Sequence, residues 1–261
     1  MQILFFSYNY MREYFSEFIN YLPDISENKK ENLNFYFNEL LKVARPAGFI
    51  ADADEDILWK RHILDSLLPL QESEISSIII NSGRIIDIGT GAGLPGLPLG
   101  IIFDKNKFIL LESSEKKSLF MKNVILNLKL KNIQVACCSI DEYKNNEFNA
   151  GDLVLVRAFK KPLVSLELSL YALKERGKLL YWRSRSFIND NSKEKKIESK
   201  KINDRINSLG FYSHSFFDLN SPGDIGRRGV YVFSYDKQGK HEKYPRNINS
   251  INKDKLASEV E

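Results

Sequence analysis

Between Arg84 and Gly96 the chain runs from the apolar stretch Arg84-Ile85-Ile86-Asp87-Ile88 into Gly89-Thr90-Gly91-Ala92-Gly93-Leu94-Pro95-Gly96, and no other segment limits the fold as tightly. The isoleucine-rich run has the length and branching of a buried strand. Glycines at alternate positions let the backbone enter left-handed conformations and come close to a ligand without a Cβ in the way. A helix opening after the turn offers unpaired N–H groups at its start. Pro95 suits its first turn, where the missing donor costs nothing. Strand, glycine turn and helix in that order open one βα unit of a parallel sheet.

The texture after Ser82-Gly83 repeats that unit. Short apolar runs at Arg84–Ile88, Phe108–Leu111, Ile133–Ala136, Leu153–Val156, Lys178–Trp182, Phe211–Phe217 and Val230–Tyr235 alternate with helical segments. They predict a Rossmann-like α/β fold, a doubly wound and mostly parallel seven-stranded sheet whose short last loop lets the final strand run antiparallel. Upstream the period is helical. Phe15, Phe18, Ile19 and Leu22 form one face, and Phe35, Phe37, Leu40, Leu41 and Val43 another, separated by Pro23 and the polar run 26–31. A third helix, fed by the Arg45–Gly48 loop, spans about Asp54–Leu68 and stops before Pro69. The expected division is a helical extension over 1–82, a catalytic domain over 83–235 and a polar, partly basic, mobile tail over 236–261.

Composition narrows the classes. With 38 Lys and Arg against 34 Asp and Glu the formal charge is only +4, so any nucleic-acid surface must be a local patch. Adjacent Cys137 and Cys138 suit neither a disulfide framework nor metal-ligand spacing and read as buried strand residues in a reduced setting. With three histidines in the chain, a metal site is not expected. The aromatic start, Met1 to Tyr10, lacks a preceding charge and a cleavage site, and Arg12, Glu13 and Glu17 interrupt it. A cytoplasmic, soluble monomer is expected, with Met11 an alternative initiator.

Two ligands compete for the glycine turn. Gly91-Ala92-Gly93-Leu94-Pro95-Gly96 satisfies the dinucleotide pattern, with Glu112 near the expected acidic position. S-adenosylmethionine is favoured by Gly89, Gly91 and Gly93 directly after Asp87 and by a second acidic pair, Asp141-Glu142, after the third strand. Glu112 can accept from both ribose hydroxyls and Asp141 from the adenine amine. A glycine turn that holds nothing is the plain structural alternative.

Four stretches, Lys60-Arg61-His62-Ile63-Leu64-Asp65-Ser66-Leu67, the glycine loop through Leu94-Pro95-Gly96, Leu111-Glu112-Ser113 with Lys116-Lys117, and Val156-Arg157-Ala158-Phe159, resemble the bacterial glucose-inhibited division protein B family. This family is also called the small-subunit rRNA guanine-N7 methyltransferases G. The resemblance runs from about Asn34 to Tyr235, and Lys243-Tyr244-Pro245-Arg246 resembles the basic end of many members. It departs at Gly48-Phe49-Ile50 and at Arg183-Ser184, where the family carries Asn-Leu-Thr and Lys-Gly. The resemblance implies S-adenosylmethionine as cofactor, contacted at Gly89, Leu94, Ile140, Asp141 and Arg157. It also implies 16S ribosomal RNA or the small ribosomal subunit as partner, with a guanine of the 530 loop as target.

Guanine N7 carries an in-plane lone pair and no proton, so no general base is required, and alignment with water excluded is the task. Arg157, at the end of the fourth strand, is the expected catalytic residue, orienting the cofactor or gripping a phosphate or base edge, and Arg157→Ala is expected to abolish transfer with the fold intact. Phe159 either stacks on the base or packs in the core. His62 and Asp65, one turn apart, read as helix-stabilising or lid-positioning residues. The basic run Lys193, Lys195, Lys196, Lys200, Lys201 and Arg205 reads as a solvated helix face. Arg183, Arg185, Arg227, Arg228, Lys243 and Arg246 are expected to converge beside the crevice and neutralise phosphates. A methyltransferase for another substrate, a nicotinamide-dependent oxidoreductase and a noncatalytic RNA-binding module remain open, although the second lacks a convincing Tyr-Lys proton relay.

Overall fold

The computed structural model describes residues 25–143, 150–183 and 195–254. The expected helix over Phe15–Leu22, both candidate initiators, Arg185 and Lys193 lie outside the described residues. The sheet has seven strands: β1 (Arg84–Ile88), β2 (Lys107–Leu111), β3 (Ile133–Ala136), β4 (Gly151–Arg157), β5 (Leu173–Trp182), β6 (Phe211–Leu219) and β7 (Arg228–Tyr235). Their order is β3-β2-β1-β4-β5-β7-β6. The first five are parallel to one another, and β7 runs antiparallel between β5 and β6. All seven predicted runs are strands; β1 and β3 keep the predicted bounds and the other five are longer.

Side chains alternate across each strand, and the alternation sorts the core into two layers. Ile85, Leu153, Leu155 and Leu180 face one layer, whereas Ile86, Ile88, Val154 and Val156 face the other. Because both faces are covered, β1 and β4 read as near-continuous apolar runs. The first layer is closed by α1 (Glu27–Glu39), the segment around α2 (Glu55–Trp59) and α3 (Asp65–Leu67), and α4 (Ser73–Ile80), together with the crossovers α5 (Gly96–Ile102) and α6 (Glu115–Asn127). The second layer is closed by α7 (Ile140–Tyr143), α8 (Pro162–Ser169), α9 (Lys195–Ser208) and α10 (Ile248–Asn252). The N-terminal helices therefore share one apolar cluster with the sheet, and Tyr36 Oη donates to the carbonyl of Ala92 in the glycine turn at 2.9 Å. No helix among the described residues is long and apolar enough to cross a membrane.

Several expectations change. The polar run after Ser26 does not break the chain but starts α1, because Ser26 occupies the N-cap and Glu27 favours the first turn while Leu33, Tyr36 and Phe37 are buried further on. Val43, expected in the core, is 42% exposed, since a π-helical turn at Leu40–Ala44 rotates the face. A second π-helical turn, Lys60–Leu64, joins α2 to α3, and a 3₁₀ turn carries the segment past Pro69 to Gln71. Pro95 precedes the helix as its N-cap rather than lying inside it. The two cysteines are not buried in β3. They lie past its end, Cys137 exposed and Cys138 half-buried.

The tail packs against the fold through Asp254. Glu167 lies in the second layer at 1% exposure, and a carboxylate so far from water needs a counter-charge. Arg246 supplies it, donating from Nε at 2.9 Å and Nη2 at 2.6 Å, and also pairs with Asp254 at 2.7 Å. Tyr244 is buried among the cations of Arg205, Lys243 and Arg246, each 5.0–5.5 Å from its ring. Arg205, read as part of a solvated face, likewise pairs with Asp254 at 2.7 Å.

Candidate functional site

Parallel strands of a doubly wound sheet present their carboxyl ends to one crevice where the strand order reverses, here between β1 and β4. Two clefts meet there. The glycine cleft, about 450 Å³, is floored by Ile88, Gly89 and Gly91 and walled by Glu112, Asp141 and Phe159. The arginine cleft, about 420 Å³, is bounded by the Lys60–Leu64 turn, the ends of β4 and β5 and the start of β7. Ala158 lines both. Its φ of +49° is a left-handed conformation that alanine seldom adopts, and such strain concentrates at functional sites.

The glycine cleft is built by one buried carboxylate. Asp87 Oδ2 accepts from Thr90 Oγ1 at 2.6 Å and from the Gly96 amide at 2.8 Å, tying the turn to the start of α5. Gly96 permits this, because a Cβ there would come within 2.7 Å of Asp87 Oδ2. Complete burial pushes the Asp87 carboxyl up to about 6, against the pull of those two hydrogen bonds and of Arg157. The helix start that could hold a pyrophosphate is thus capped by a carboxylate, which argues against the dinucleotide. Glu112, at 9% exposure, accepts from the Gly91 amide at 3.0 Å and from the Ser114 amide at 2.8 Å, one on each oxygen. Each oxygen keeps further acceptor capacity, the pair of acceptors that two adjacent hydroxyl donors require. With Asp141 as a second acceptor and Ile88, Leu111, Ile140 and Leu168 as apolar wall, the cleft fits an adenine nucleoside.

Among the residues expected at the cofactor, Gly89, Gly91, Glu112, Ile140 and Asp141 line this cleft, and Gly93, Leu94 and Arg157 do not. Gly93 serves packing. A Cβ there would sit 2.4 Å from Leu97 Cδ1, and Leu94 is buried in the first layer. Phe159 lies over Gly89, where a Cβ would approach its ring to 2.1 Å, so it belongs to the wall of the glycine cleft and to the edge of the second core layer.

Arg157 points the other way. Nε pairs with Asp65 Oδ2 at 3.3 Å, Nη1 donates to Ser66 Oγ at 2.9 Å and to the His62 carbonyl at 3.4 Å, and Nη2 donates to the Arg61 carbonyl at 2.6 Å. Its guanidinium therefore fastens the π-helical turn to the sheet, a structural role that the sequence reading did not assign to it. Asp65 is held from a second side by Arg228 Nε at 2.9 Å and anchors β5 through its carbonyl, which accepts from Trp182 Nε1. Lys60 bridges Asp56 and Asp224, both at 2.7 Å, pinning the same turn to the loop before β7.

Arg183, Arg227 and Arg228 converge on this cleft, joined by Arg61, which the sequence reading did not single out. Arg246 does not join them, because Glu167 and Asp254 hold it. Burial, then Arg157 and Arg61, lower the His62 imidazole to about 4, so it is neutral near pH 7. Among the described residues no group of three or more His, Cys, Asp or Glu is arranged to hold a metal ion. Ala158 carried no signal in the sequence, since its backbone angle comes from its surroundings.

The family model for rRNA small subunit methyltransferase G matches residues 29–212. Curated relatives named ribosomal RNA small subunit methyltransferase G include one from Thermotoga petrophila, 31% identical over 85% of this chain and 89% of the relative. Another, from Mesoplasma florum, is 30% identical over 92% of this chain and 94% of the relative. Among solved structures, an O-methyltransferase from Bacillus cereus in complex with SAH aligns over 86% of this chain and 96% of its own, with TM-score 0.53 at 16% identity. The fold alone is shared at that distance.

Proposed function

The chain belongs to the rRNA small subunit methyltransferase G family, and from that premise we propose that it methylates N7 of a guanine in 16S ribosomal RNA, using S-adenosylmethionine. The observation that carries the cofactor reading is the Glu112 carboxylate, fixed by two amides at the rim of a glycine turn whose helix start is already capped by Asp87. In this reading Glu112 holds the ribose hydroxyls, Asp141 the adenine amine, and Gly89 and Gly91 admit the nucleoside close to the backbone. Ile140 and Phe159 supply apolar contact. S-adenosylmethionine, when bound, supplies a methyl group on a positively charged sulfur.

The acceptor enters from the arginine cleft, and Ala158, common to both clefts, marks where they meet. N7 has no proton to lose, so the residues of the chain need not move one. Their work is to hold base and cofactor in line and to keep water out. Arg157 does this indirectly, as a positioning residue that fixes the Arg61–Ser66 turn against β4. Arg61 and Arg227 neutralise phosphates of the strand that carries the guanine. Residues 83–235 form the catalytic unit, with 1–82 and 236–261 as its flanking segments.

The test is incubation of the protein with labelled S-adenosylmethionine and small-subunit ribosomal RNA, followed by mapping of the labelled nucleotide. Label on N7 of one guanine is expected. Label on a ribose or an exocyclic amine would overturn the N7 assignment, and calorimetric binding of a nicotinamide dinucleotide in place of S-adenosylmethionine would overturn the whole reading.

A further inference from the structure

Buried polar side-chain atoms are nearly always hydrogen-bonded. Among the described residues, seven such atoms are not, and five belong to the arginine cleft: His62 Nδ1 and Nε2, Asp65 Oδ1, Arg183 Nε and Arg228 Nε. Asp65 Oδ1 and Arg228 Nε stand 2.9 Å apart, yet the angle is wrong for a hydrogen bond. Charge holds them together and directionality does not, so the contact leaves room for a partner that supplies an aligned hydrogen bond in its place.

Signs sort the cleft into two zones. Arg61 and Arg227 are exposed at its rim, where phosphates suit them. The floor holds a carboxylate, Asp65, and an uncharged imidazole, His62, beside the Nε donors of Arg183 and Arg228. Asp65 is already charge-paired by Arg157 and Arg228, and a phosphate diester, which has no donor, cannot satisfy the acceptors of Asp65 and His62, so the floor fits a group that offers donors to those two and an acceptor to the arginines. Among RNA bases, guanine alone presents two adjacent donors, N1–H and the 2-amino group, next to a carbonyl acceptor, O6.

We propose that Asp65 and His62 are specificity-determining residues that accept hydrogen bonds from N1–H and the 2-amino group of the target guanine. Base entry turns Arg228 away from Asp65 Oδ1 toward O6. The π-helical turn that carries His62 is held by Arg157, so the reading surface is rigid on the protein side. This inference rests on the methyltransferase reading above, and goes beyond it by assigning which side chains select the base.

The experiment compares target-loop RNA carrying guanine with the same RNA carrying inosine, which lacks the 2-amino group but keeps N7, N1–H and O6. Wild type is expected to lose about 10- to 100-fold in kcat/KM with inosine, the range for a buried acceptor left unpaired. His62→Leu is expected to lose a similar factor on guanine and less than about 3-fold more on inosine, so the two changes are not additive. S-adenosylmethionine affinity by calorimetry should be unchanged in His62→Leu, which reports an intact fold and glycine cleft. His62→Asn, which keeps an acceptor, should regain part of the guanine preference. Equal wild-type rates on guanine and inosine, or additive losses, would overturn the inference while leaving the methyltransferase reading standing. Absence of S-adenosylmethionine binding and of any methylation by wild type would instead overturn that reading, and the inference with it.

Discussion

The two clefts that meet at Ala158 are built on opposite rules. The glycine cleft comes mainly from a turn and its neighbouring strand ends, and its carboxylates Asp87 and Glu112 each hold two nearby donors. The arginine cleft is assembled from side chains separated by more than 150 positions, from Arg61 to Arg228, and gathers most of the described buried atoms that lack a hydrogen bond. On the proposed reading, a site for one fixed cofactor satisfies most of its polar groups internally, and a site for a flexible polymer leaves groups to be satisfied by it.

The sharpest way to break this contrast is Arg157→Ala. If the arginine cleft depends on this residue for its geometry, the variant leaves Asp65 half-compensated in a buried place and should lose about 3 kcal/mol of stability by denaturant unfolding, with RNA methylation abolished. Full stability with lost activity would return Arg157 to a purely catalytic role. Next in size, Glu112→Ala should weaken S-adenosylmethionine about 50-fold by calorimetry and leave RNA affinity within about 2-fold, because only the glycine cleft loses its acceptors. An equal loss of RNA binding would mean the clefts are one site.

The clefts should also respond to pH with opposite signs. His62 sits at about 4 in the fold against 6.5 when unfolded, so its contribution is complete above 6.5 and is lost as pH falls toward 4. Asp87 sits at about 6 against 3.8, so the unfolded state releases its proton first and stability is lost as pH rises from about 4 through 6. Relative to wild type, His62→Gln should become less stable as pH rises through that window and Asp87→Asn more stable, each by on the order of 2 kcal/mol. Parallel curves for both variants would remove the distinction. The smallest effect belongs to the rim. Arg227→Ala should lower the slope of log affinity for RNA against log salt by about one, with cofactor affinity unchanged.

Much of the glycine cleft was legible beforehand because its elements are contiguous. Asp87, Gly89, Gly91 and Glu112 occur within one βαβ unit whose order and spacing can be read along the chain. Gly93 and Leu94 share that spacing, yet they face Leu97 and the first core layer instead of the cleft, since the turn curls between Gly91 and Gly96. The tail misled for a related reason. Lys243 and Arg246 look free in a polar sequence, but the partner that holds Arg246 is Glu167, 79 positions away and buried by α8. Arg157 was placed at the right strand end, but the partners of its guanidinium, two carbonyls of a π-helical turn with the Ser66 hydroxyl and the Asp65 carboxylate just beyond it, lie on a turn that no periodicity announces.

Local order along the chain was sufficient to determine the doubly wound sheet and the acidic glycine turn, since alternation of apolar runs and the conformational freedom of glycine act within a few residues. Only the tertiary structure decided which charges remain available. An arginine's role depends on whether a carboxylate from a distant element reaches it first, and that competition between ion pairing, burial and solvation is settled by packing, after the strands are already in place.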